Sequence, residues 1–410
     1  MMGRLYFRLS LMREPAVLQA NSAAFYGLAL ESHIIELYAN AVATFLTQLR
    51  KPYFVDPVFY KFSAPIFSEL SEKRWVDSLS SHYGIETLLF QFPEGFDVAN
   101  LESVPNLSRI VASVLDYQRR RVPSLNAGAL SLASLTGQVT AATGPPEFLV
   151  VPYLFVSERA SIRSNLKLAR EGARIKQKGE RLYAVLALSR DYFGSESDLE
   201  YITREYAKVD LDGYLIWITD FKDWEEDSEV LKSFAGFVRR LSAASNGREV
   251  INLFGGYFSA VLAARGLLGG SAQGVGIAEF RDPLVTGGGF AKRYYVPISH
   301  RFVSVDLADD LRDANPNVFS CSCPECGTGT RPGSMSVQAL AQHFVSVRTQ
   351  EFQIAAGLSA TAIADQLSRD RTTLARIKVP GIASLTSAHG RRLEVWEKSL
   401  RDLVQAGLVA

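Results

Sequence analysis

The chain has 410 residues, of which 47% are hydrophobic and 21% are charged, an ordinary balance for a soluble globular protein. A net charge of +1 excludes a globally basic nucleic-acid-binding protein, so any contact with phosphates must come from local patches. No run of about 18 apolar residues is present, so the sequence predicts no membrane span. Arg4, Arg8 and Arg13 interrupt the N-terminal stretch, and all three cysteines are clustered, so we expect a cytoplasmic protein.

The first third of the chain contains one predicted strand among helices. Apolar spacing predicts a helix over residues 17–50 and further helices over 66–84 and 100–121. Between the first two helices, the apolar run 53–55 ends at Asp56, which a proline follows. In parallel α/β folds, a carboxylate at the end of a strand lies at the mouth where chemistry is done. Asp56 is therefore a candidate catalytic residue.

From residue 148 onward, strands and helices alternate. The predicted strands are 148–153, 182–188, 213–218, 249–254 and 273–278, with helices at 161–178, 197–208, 229–243 and 257–267. Apolar strands that are each followed by a helix indicate a parallel sheet covered on both faces. This many units favour a closed (β/α)8 TIM barrel over an open doubly wound sheet. Neither a dinucleotide-binding glycine motif nor a P-loop is present to favour the open sheet.

Several residues near predicted strand ends are candidates for chemistry or substrate binding. Two carboxylates that face each other across a barrel mouth can act on an acetal-like carbon, one as the nucleophile and the other moving protons. The candidate catalytic residues are Asp56, Glu279 and Asp282, and the candidate substrate-binding residues are Trp217, Gly255, Gly256 and Tyr257. Taken singly, each carboxylate is explained as well by a helix cap or a surface ion pair, and each aromatic residue by packing.

The strongest single motif is the cysteine cluster Cys321, Cys323 and Cys326. His343 follows on a predicted helix and offers a fourth ligand, with His300 as an alternative within reach. Three thiolates and one imidazole suit a closed tetrahedral Zn²⁺ site. Such closed sites are usually structural, so we expect a structural zinc ion rather than a catalytic one.

The C-terminal part of the chain is predicted to be helical, over residues 336–356, 361–367 and 392–405. The segment 361–377 has a weak helix-turn-helix pattern, but helices that pack on the barrel explain it better.

Three units are therefore expected along the chain. They are a barrel domain over 1–315, a zinc-binding subdomain over 316–356 and a helical extension over 357–410.

The order of these pieces resembles the tRNA-guanine transglycosylase superfamily, over residues 50–355. The most specific piece is the cysteine cluster together with His343, which lies in a Leu-Ala-Gln-His context. Three further pieces contribute, namely Leu182–Val185 followed by Asp212–Tyr214, the segment Gly274–Glu279, and Phe54–Pro57.

The resemblance implies a TIM barrel with a structural zinc subdomain and a ping-pong reaction. A carboxylate displaces guanine from C1′ of a nucleotide, and an incoming 7-deazaguanine base then displaces the carboxylate. Glu279 lies where the family carries its nucleophile, unless the register shifts to Asp282, and Asp56 matches the other essential acid. The implied partners are a nucleic acid and the deazapurine, and a homo- or hetero-oligomer is possible.

The departures from the family favour one of its branches. The tRNA enzymes continue after the first acid with Ser-Gly-Gly-Phe-Gln, whereas this chain has the segment Pro57–Phe62. The altered purine pocket and the absence of an RNA-binding C-terminal domain resemble the DNA-acting 7-deazaguanine transglycosylase (DpdA-like) branch. We therefore expect DNA rather than tRNA as the substrate.

Two other readings remain open at this point. One is a non-catalytic zinc-containing paralogue that serves as a nucleic-acid-binding or partner subunit, because purine-recognition residues of the family are missing. The other is a TIM-barrel hydrolase with an incidental zinc knuckle.

Overall fold

The barrel is seen in a computed structural model of the chain. The described residues are 3–10, 14–97, 100–101, 104, 106–135, 144–276, 279, 281–283, 292–319, 321–327, 329–377 and 383–410.

Eight parallel strands form one sheet with the order β3-β2-β1-β8-β7-β6-β5-β4. The strands are β1 (Arg4–Leu9), β2 (Gly27–Glu31), β3 (Tyr53–Asp56), β4 (Leu149–Val150), β5 (Leu182–Leu188), β6 (Gly213–Ile218), β7 (Glu249–Asn252) and β8 (Gly270–Gly274). The two end strands of this order, β3 and β4, come together where the amide of Glu147, just before β4, donates to the Tyr53 carbonyl (2.7 Å). The sheet is therefore a nearly closed (β/α)8 barrel, which confirms the predicted fold class.

Helices cover the outside of the barrel and form its C-terminal extension. They are α1 (Glu14–Ala20), α2 (Ser32–Leu37), α3 (Ala39–Leu49), α4 (Trp75–Tyr83), α5 (Glu86–Gln91), α6 (Leu107–Leu135), α7 (Arg159–Ile175), α8 (Glu196–Ala207), α9 (Ser228–Ala244), α10 (Tyr257–Ala264), α11 (Val305–Ala314), α12 (Pro316–Phe319), α13 (Val337–Gly357), α14 (Ala360–Ala375) and α15 (Ala383–Gln405). Within the described residues, none of these helices is long and apolar enough to cross a membrane.

Several strands differ from the sequence predictions, and β4 and β7 are shorter than the predicted 148–153 and 249–254. The helix predicted over 17–50 is wrong across Gly27–Glu31, which forms β2, and β1 was not predicted at all. Both strands line a crowded barrel interior. A Cβ atom on Gly27 would lie 2.5 Å from the Pro52 carbonyl oxygen and 3.1 Å from the Tyr6 ring, so only glycine fits there. The strand predicted over 273–278 begins earlier in the chain, as β8 (Gly270–Gly274). Its predicted end at Ala278 falls outside the described residues.

The N-terminal end of the barrel is closed by an ion network. Arg4 pairs with Glu147 and Glu249, and Arg181 pairs with the same two carboxylates. The Tyr183 hydroxyl also donates to Glu249. Above this layer, the Phe148 ring stacks between other rings of the interior, at 4.0 Å from that of Tyr183. The barrel is thus a packed core, and only its C-terminal end is placed to hold a site.

The segment between β8 and α13 carries the cysteine cluster. It contains the antiparallel pair β9 (Arg293–Val296) and β10 (Arg301–Ser304), followed by α11 and α12. Helix α13 packs against α1 and α10, where the eighth helix of a barrel belongs. The C-terminal helices return to the barrel, where the Trp396 indole in α15 donates to the Asp223 carbonyl (2.8 Å).

Candidate functional site

Five charged side chains, four of them buried and one half-buried, meet at the C-terminal ends of β1, β2 and β3. We call Arg8, Glu31, Asp56, Lys61 and Arg281 the mouth cluster. Its first three members end neighbouring strands, and the register pairs Glu31 directly with Asp56. The Arg8 guanidinium joins the two carboxylates, at 2.7 Å from Glu31 and 3.3 Å from Asp56. Charges this deep in a protein persist only when they are paired and hydrogen-bonded.

Asp56 is held rigidly at the end of β3. One carboxylate oxygen accepts from the Val58 amide (3.0 Å) and from the Tyr153 hydroxyl (2.9 Å), and the other faces Arg8. Val58 has a φ of 43°, a left-handed conformation that is costly for a β-branched residue. Backbone strain of this kind is concentrated at functional sites. The turn after Asp56 is thus built to fix this carboxylate, which is only 1% exposed.

Glu31 is a site residue that the sequence prediction missed. Burial alone would raise its pKa, but Arg281, Lys61 and Arg8 together hold the pKa of this carboxyl well below its usual value. Glu31 is therefore ionised at neutral pH. The signal that could have revealed it is the apolar run 27–30 ended by a carboxylate, which repeats the pattern of Asp56.

Lys61 enters the mouth from the short 3₁₀ helix Phe59–Phe62. Its ammonium nitrogen lies 3.4 Å from Glu31 Oε2 and 3.2 Å from Nδ1 of His33. Burial, reinforced by the positive charge of Arg281, lowers the pKa of Lys61 to about 7. Burial and the neighbouring cation Lys61 also lower the pKa of His33, so the imidazole is neutral. The mouth thus contains an amine that can give or take a proton near neutral pH.

Aromatic rings cover the mouth cluster. The Tyr60 ring lies 5.0 Å from that of Trp217 and 5.6 Å from that of Tyr153. Phe254 stacks under the guanidinium of Arg8, 4.1 Å from its central carbon. Trp217 was a predicted substrate-binding residue, and its indole donates to the Arg281 carbonyl (3.0 Å). These rings pack directly against one another, so a planar ligand could lie between them only after one of the rings moves.

A second polar cluster lies between the barrel and helix α13. We call Glu279, Tyr295, His300, Arg348 and Glu351 the seam cluster. Arg348 donates to Glu279 (2.7 Å) and to the Tyr295 hydroxyl (3.0 Å), and it also pairs with Glu351. Burial raises the pKa of Glu279 to about 8, because only one cation, Arg348, opposes it closely.

The structure therefore places Asp56 and Glu279 in different clusters that have no member in common. Asp282, the third predicted catalytic residue, is half-buried just beyond Arg281. The roles predicted for these three carboxylates stay predictions.

The other predicted substrate-binding residues lie toward the seam. The Tyr257 ring stacks on that of His300 at 3.6 Å. A Cβ atom on Gly256 would lie 2.4 Å from the buried Asp223 carboxylate, which accepts from the Ser259 amide at the start of α10. A Cβ atom on Gly255 would lie 2.4 Å from the side-chain oxygen of Ser271. Close packing thus accounts for both glycines.

The four predicted metal ligands come together. One ligand atom from each of Cys321, Cys323, Cys326 and His343 lies within 4.8 Å of the others. His343 Nδ1 is 3.3 Å from the Cys323 sulfur and 3.5 Å from that of Cys326. Tetrahedral coordination with bonds of about 2.0–2.3 Å separates ligand atoms by about 3.3–3.8 Å. The cluster could therefore hold a metal ion, with His343 as the fourth ligand rather than His300, which pairs with Glu351.

Surrounding groups orient the histidine toward the thiols. The Nε2 atom of His343 lies 2.7 Å from the Tyr295 carbonyl, so that nitrogen carries the proton and Nδ1 presents its lone pair. The Tyr294 ring stacks on the imidazole at 4.2 Å. Helix α13 begins where the Ser336 hydroxyl caps the Ala339 amide (3.0 Å), which fixes the start of the helix that carries His343.

Comparison with known proteins adds no relative to this picture. No model of a known protein family matches the chain, and no curated protein matches it.

Proposed function

We propose that the protein exchanges guanine for a 7-deazaguanine base in nucleic acid, with DNA as the favoured substrate. The observation that carries the proposal is Asp56, a rigid carboxylate beneath aromatic rings at the C-terminal mouth of the barrel. The cysteine cluster between β8 and α13 supports it, because the resemblance to guanine transglycosylases depends on that cluster in that part of the chain.

The mouth offers the groups that the exchange needs. A carboxylate oxygen of Asp56 attacks C1′, the bond from C1′ to N9 breaks, and guanine leaves with the bonding pair and takes up a proton. N9 of the incoming base then attacks C1′, loses its proton, and releases the carboxylate. Arg8, the Val58 amide and the Tyr153 hydroxyl orient the Asp56 carboxylate for the attack.

The resemblance implies Glu279 or Asp282 as the nucleophile and Asp56 as the other acid. The proposal assigns the attack to Asp56 instead, because burial raises the pKa of Glu279 to about 8, and it keeps Glu279 and Asp282 as alternatives.

A base that reacts at C1′ must leave the helical stack and lie in a pocket with aromatic walls. Tyr60, Tyr153 and Trp217 supply such walls, and Arg281, with a quarter of its side chain exposed, lies at the rim. Because Asp56 is 1% exposed, the proposal requires the aromatic rings that pack over it to move when a base binds.

Zinc is the ion proposed for the cysteine cluster, because three thiolates and one imidazole are its preferred structural ligand set. When bound, zinc supplies a cross-link between the cysteine turn and α13. The chemistry of the exchange does not involve it.

The test measures release of labelled guanine from DNA and from tRNA, with trapping of a covalent adduct on a denaturing gel. Wild-type protein should form the adduct, and Asp56→Asn should abolish it. Glu31→Gln, Glu279→Gln and Asp282→Asn decide which other carboxylate is needed. Asp77→Asn, which changes an exposed carboxylate on α4, is the matched control and should retain full activity. Mass spectrometry of nucleosides after co-expression with a deazaguanine source identifies the modified nucleic acid.

A binding role without catalysis is the second candidate, and the burial of Asp56 favours it. On that hypothesis the wild-type protein shifts DNA or RNA in a gel yet never releases guanine. Retention of the adduct in Asp56→Asn would instead move the nucleophile to another carboxylate.

A further inference from the structure

We propose that Lys61 is a catalytic residue of the mouth that protonates the departing base and deprotonates the incoming one. The inference rests on the proposed base exchange and adds a residue to it. Lys61 was not singled out in the sequence, and its chemistry depends on where the fold places its ammonium group.

The geometry gives Lys61 access to the same space as the reactive carboxylate. It lies five residues after Asp56, beyond the strained turn at Val58, and its ammonium nitrogen reaches Glu31 in the mouth (3.4 Å). The side chain is 8% exposed, so bulk water does not compete for its proton. Its contacts with Glu31 and His33 hold the ammonium group beside the carboxylate pair without a close ion pair to Asp56.

The ionisable groups near Lys61 come from the ends of β1, β2 and β3 and from the segment after β8. The acids are Glu31 and Asp56, the cations are Arg8 and Arg281, and His33 is neutral. The acids favour the ammonium form, whereas burial and Arg281 favour the neutral amine. The balance lowers the pKa of Lys61 to about 7, which suits a group that must give a proton and later take one back.

Lys61 can give the proton that the departing base needs and take up the proton that the incoming base loses. In the first half, Asp56 bonds to C1′, the bond from C1′ to N9 breaks, and the Lys61 ammonium protonates a ring nitrogen of the departing guanine. Neutral guanine and a neutral Lys61 amine result. In the second half, that amine removes the N9 proton of the incoming base while N9 bonds to C1′ and the carboxylate leaves. Lys61 is then an ammonium group again.

A substrate whose base leaves without taking up a proton tests whether Lys61 acts as the acid, because release of that base does not need one. 7-Methylguanine carries a positive charge in DNA and departs as a neutral base, so its release needs no acid. The experiment measures single-turnover release of guanine and of 7-methylguanine from the same oligonucleotide, with excess enzyme and no incoming base. We compare wild type, Lys61→Met and Lys61→Arg with Lys73→Met, which changes an exposed lysine of the same loop region.

We expect Lys61→Met to slow guanine release by about 10²-fold or more, while 7-methylguanine release changes by less than about threefold. Wild-type guanine release should fall as pH rises above about 7, because the ammonium form is lost, and Lys61→Met should lack that limb. Lys73→Met should match the wild type. If Lys61→Met fails to fold, the release of the two bases is compared in Lys61→Arg instead. That variant keeps the positive charge but does not give up a proton near neutral pH, so it should also slow guanine release alone.

Equal losses on both bases in a folded variant would overturn the proposal and make Lys61 a positioning residue. That result leaves the base exchange itself intact. Release of neither base by the wild type would instead overturn the base exchange, and the role of Lys61 with it.

Discussion

The mouth cluster and the seam cluster are both buried groups of carboxylates and cations, but they treat their carboxylates differently. At the mouth, three cations surround Glu31 and hold its pKa well below the usual range. At the seam, burial outweighs the single close cation Arg348 and raises the pKa of Glu279 to about 8. The first carboxylate is ionised at neutral pH, and the second keeps its proton.

The difference shows that a carboxylate after a strand is not enough to identify a nucleophile. Glu279 and Arg281 are two residues apart, yet Glu279 belongs to the seam and Arg281 to the mouth. A nucleophilic carboxylate must be ionised, so the number of neighbouring cations matters as much as position in the chain. This favours the mouth as the place of the proposed base exchange.

The largest expected effect is that of removing the metal, which should destabilise the seam cluster but not the mouth cluster. Helix α13 carries both His343 and Arg348, so removing the metal should loosen the seam and leave the mouth in place. We expect Cys323→Ser, or chelation, to lower the melting temperature by on the order of 10 °C. Hydrogen exchange should quicken in α13 and β9 but not in β2 and β3.

Ser322→Ala, which changes an exposed residue within the same turn, is the control and should keep both metal content and stability. Less than about half an equivalent of zinc in the wild type would remove the basis of this prediction.

The next effect compares the two central arginines. Arg8→Met leaves the buried carboxyl groups of Glu31 and Asp56 without their shared cation, so we expect a loss of about 3–5 kcal/mol in the free energy of unfolding. Arg348→Met should cost less at pH 6, about 1–3 kcal/mol, because Glu279 is neutral there. Denaturant unfolding at pH 6 measures both. Equal costs would show that the two clusters do not differ in ionisation.

The pH dependence of stability sharpens the same comparison. The folded state keeps the Glu279 proton up to about pH 8, whereas the unfolded chain loses it near 4.5. The folded state thus binds more protons between these values, and the contribution of Glu279 to stability falls as pH rises through this window. We expect Glu279→Gln to remove a fall on the order of 2–4 kcal/mol between pH 5 and pH 8.

Glu72→Gln, an exposed change, should retain the wild-type profile. Identical profiles for Glu279→Gln and the wild type would mean that Arg348 keeps Glu279 ionised after all.

A structural feature could be predicted from the sequence when the residues that determine it are close together in the chain. Strands β5 and β6 were predicted to the residue, because buried parallel strands are continuous apolar runs. The group that could hold a metal was recognised because its three cysteines lie within six residues. Strand β1 was missed because Arg4 and Arg8 point into the barrel, where partners from distant segments neutralise them.

The candidate site was less predictable for the same reason. The proton affinity of Glu279 is set by its burial and by Arg348, which lies 69 residues away in the sequence. That of Lys61 is set by its burial and by Arg281. No pattern around either residue records those neighbours. Asp56 was found because its strand and the following proline are local features.

The smallest expected effect is that of removing one tyrosine hydroxyl from each cluster. Tyr153→Phe removes the hydroxyl that donates to Asp56, and Tyr295→Phe removes the one that contacts Glu351 and Arg348. Each should cost about 1–2 kcal/mol of stability, because a hydrogen bond to a charged group is lost while the ring remains. Only Tyr153→Phe should also slow guanine release, measured as a lower single-turnover rate, because only that hydroxyl touches the proposed nucleophile. A slower release in Tyr295→Phe alone would move the reaction to the seam and restore Glu279 as the nucleophile.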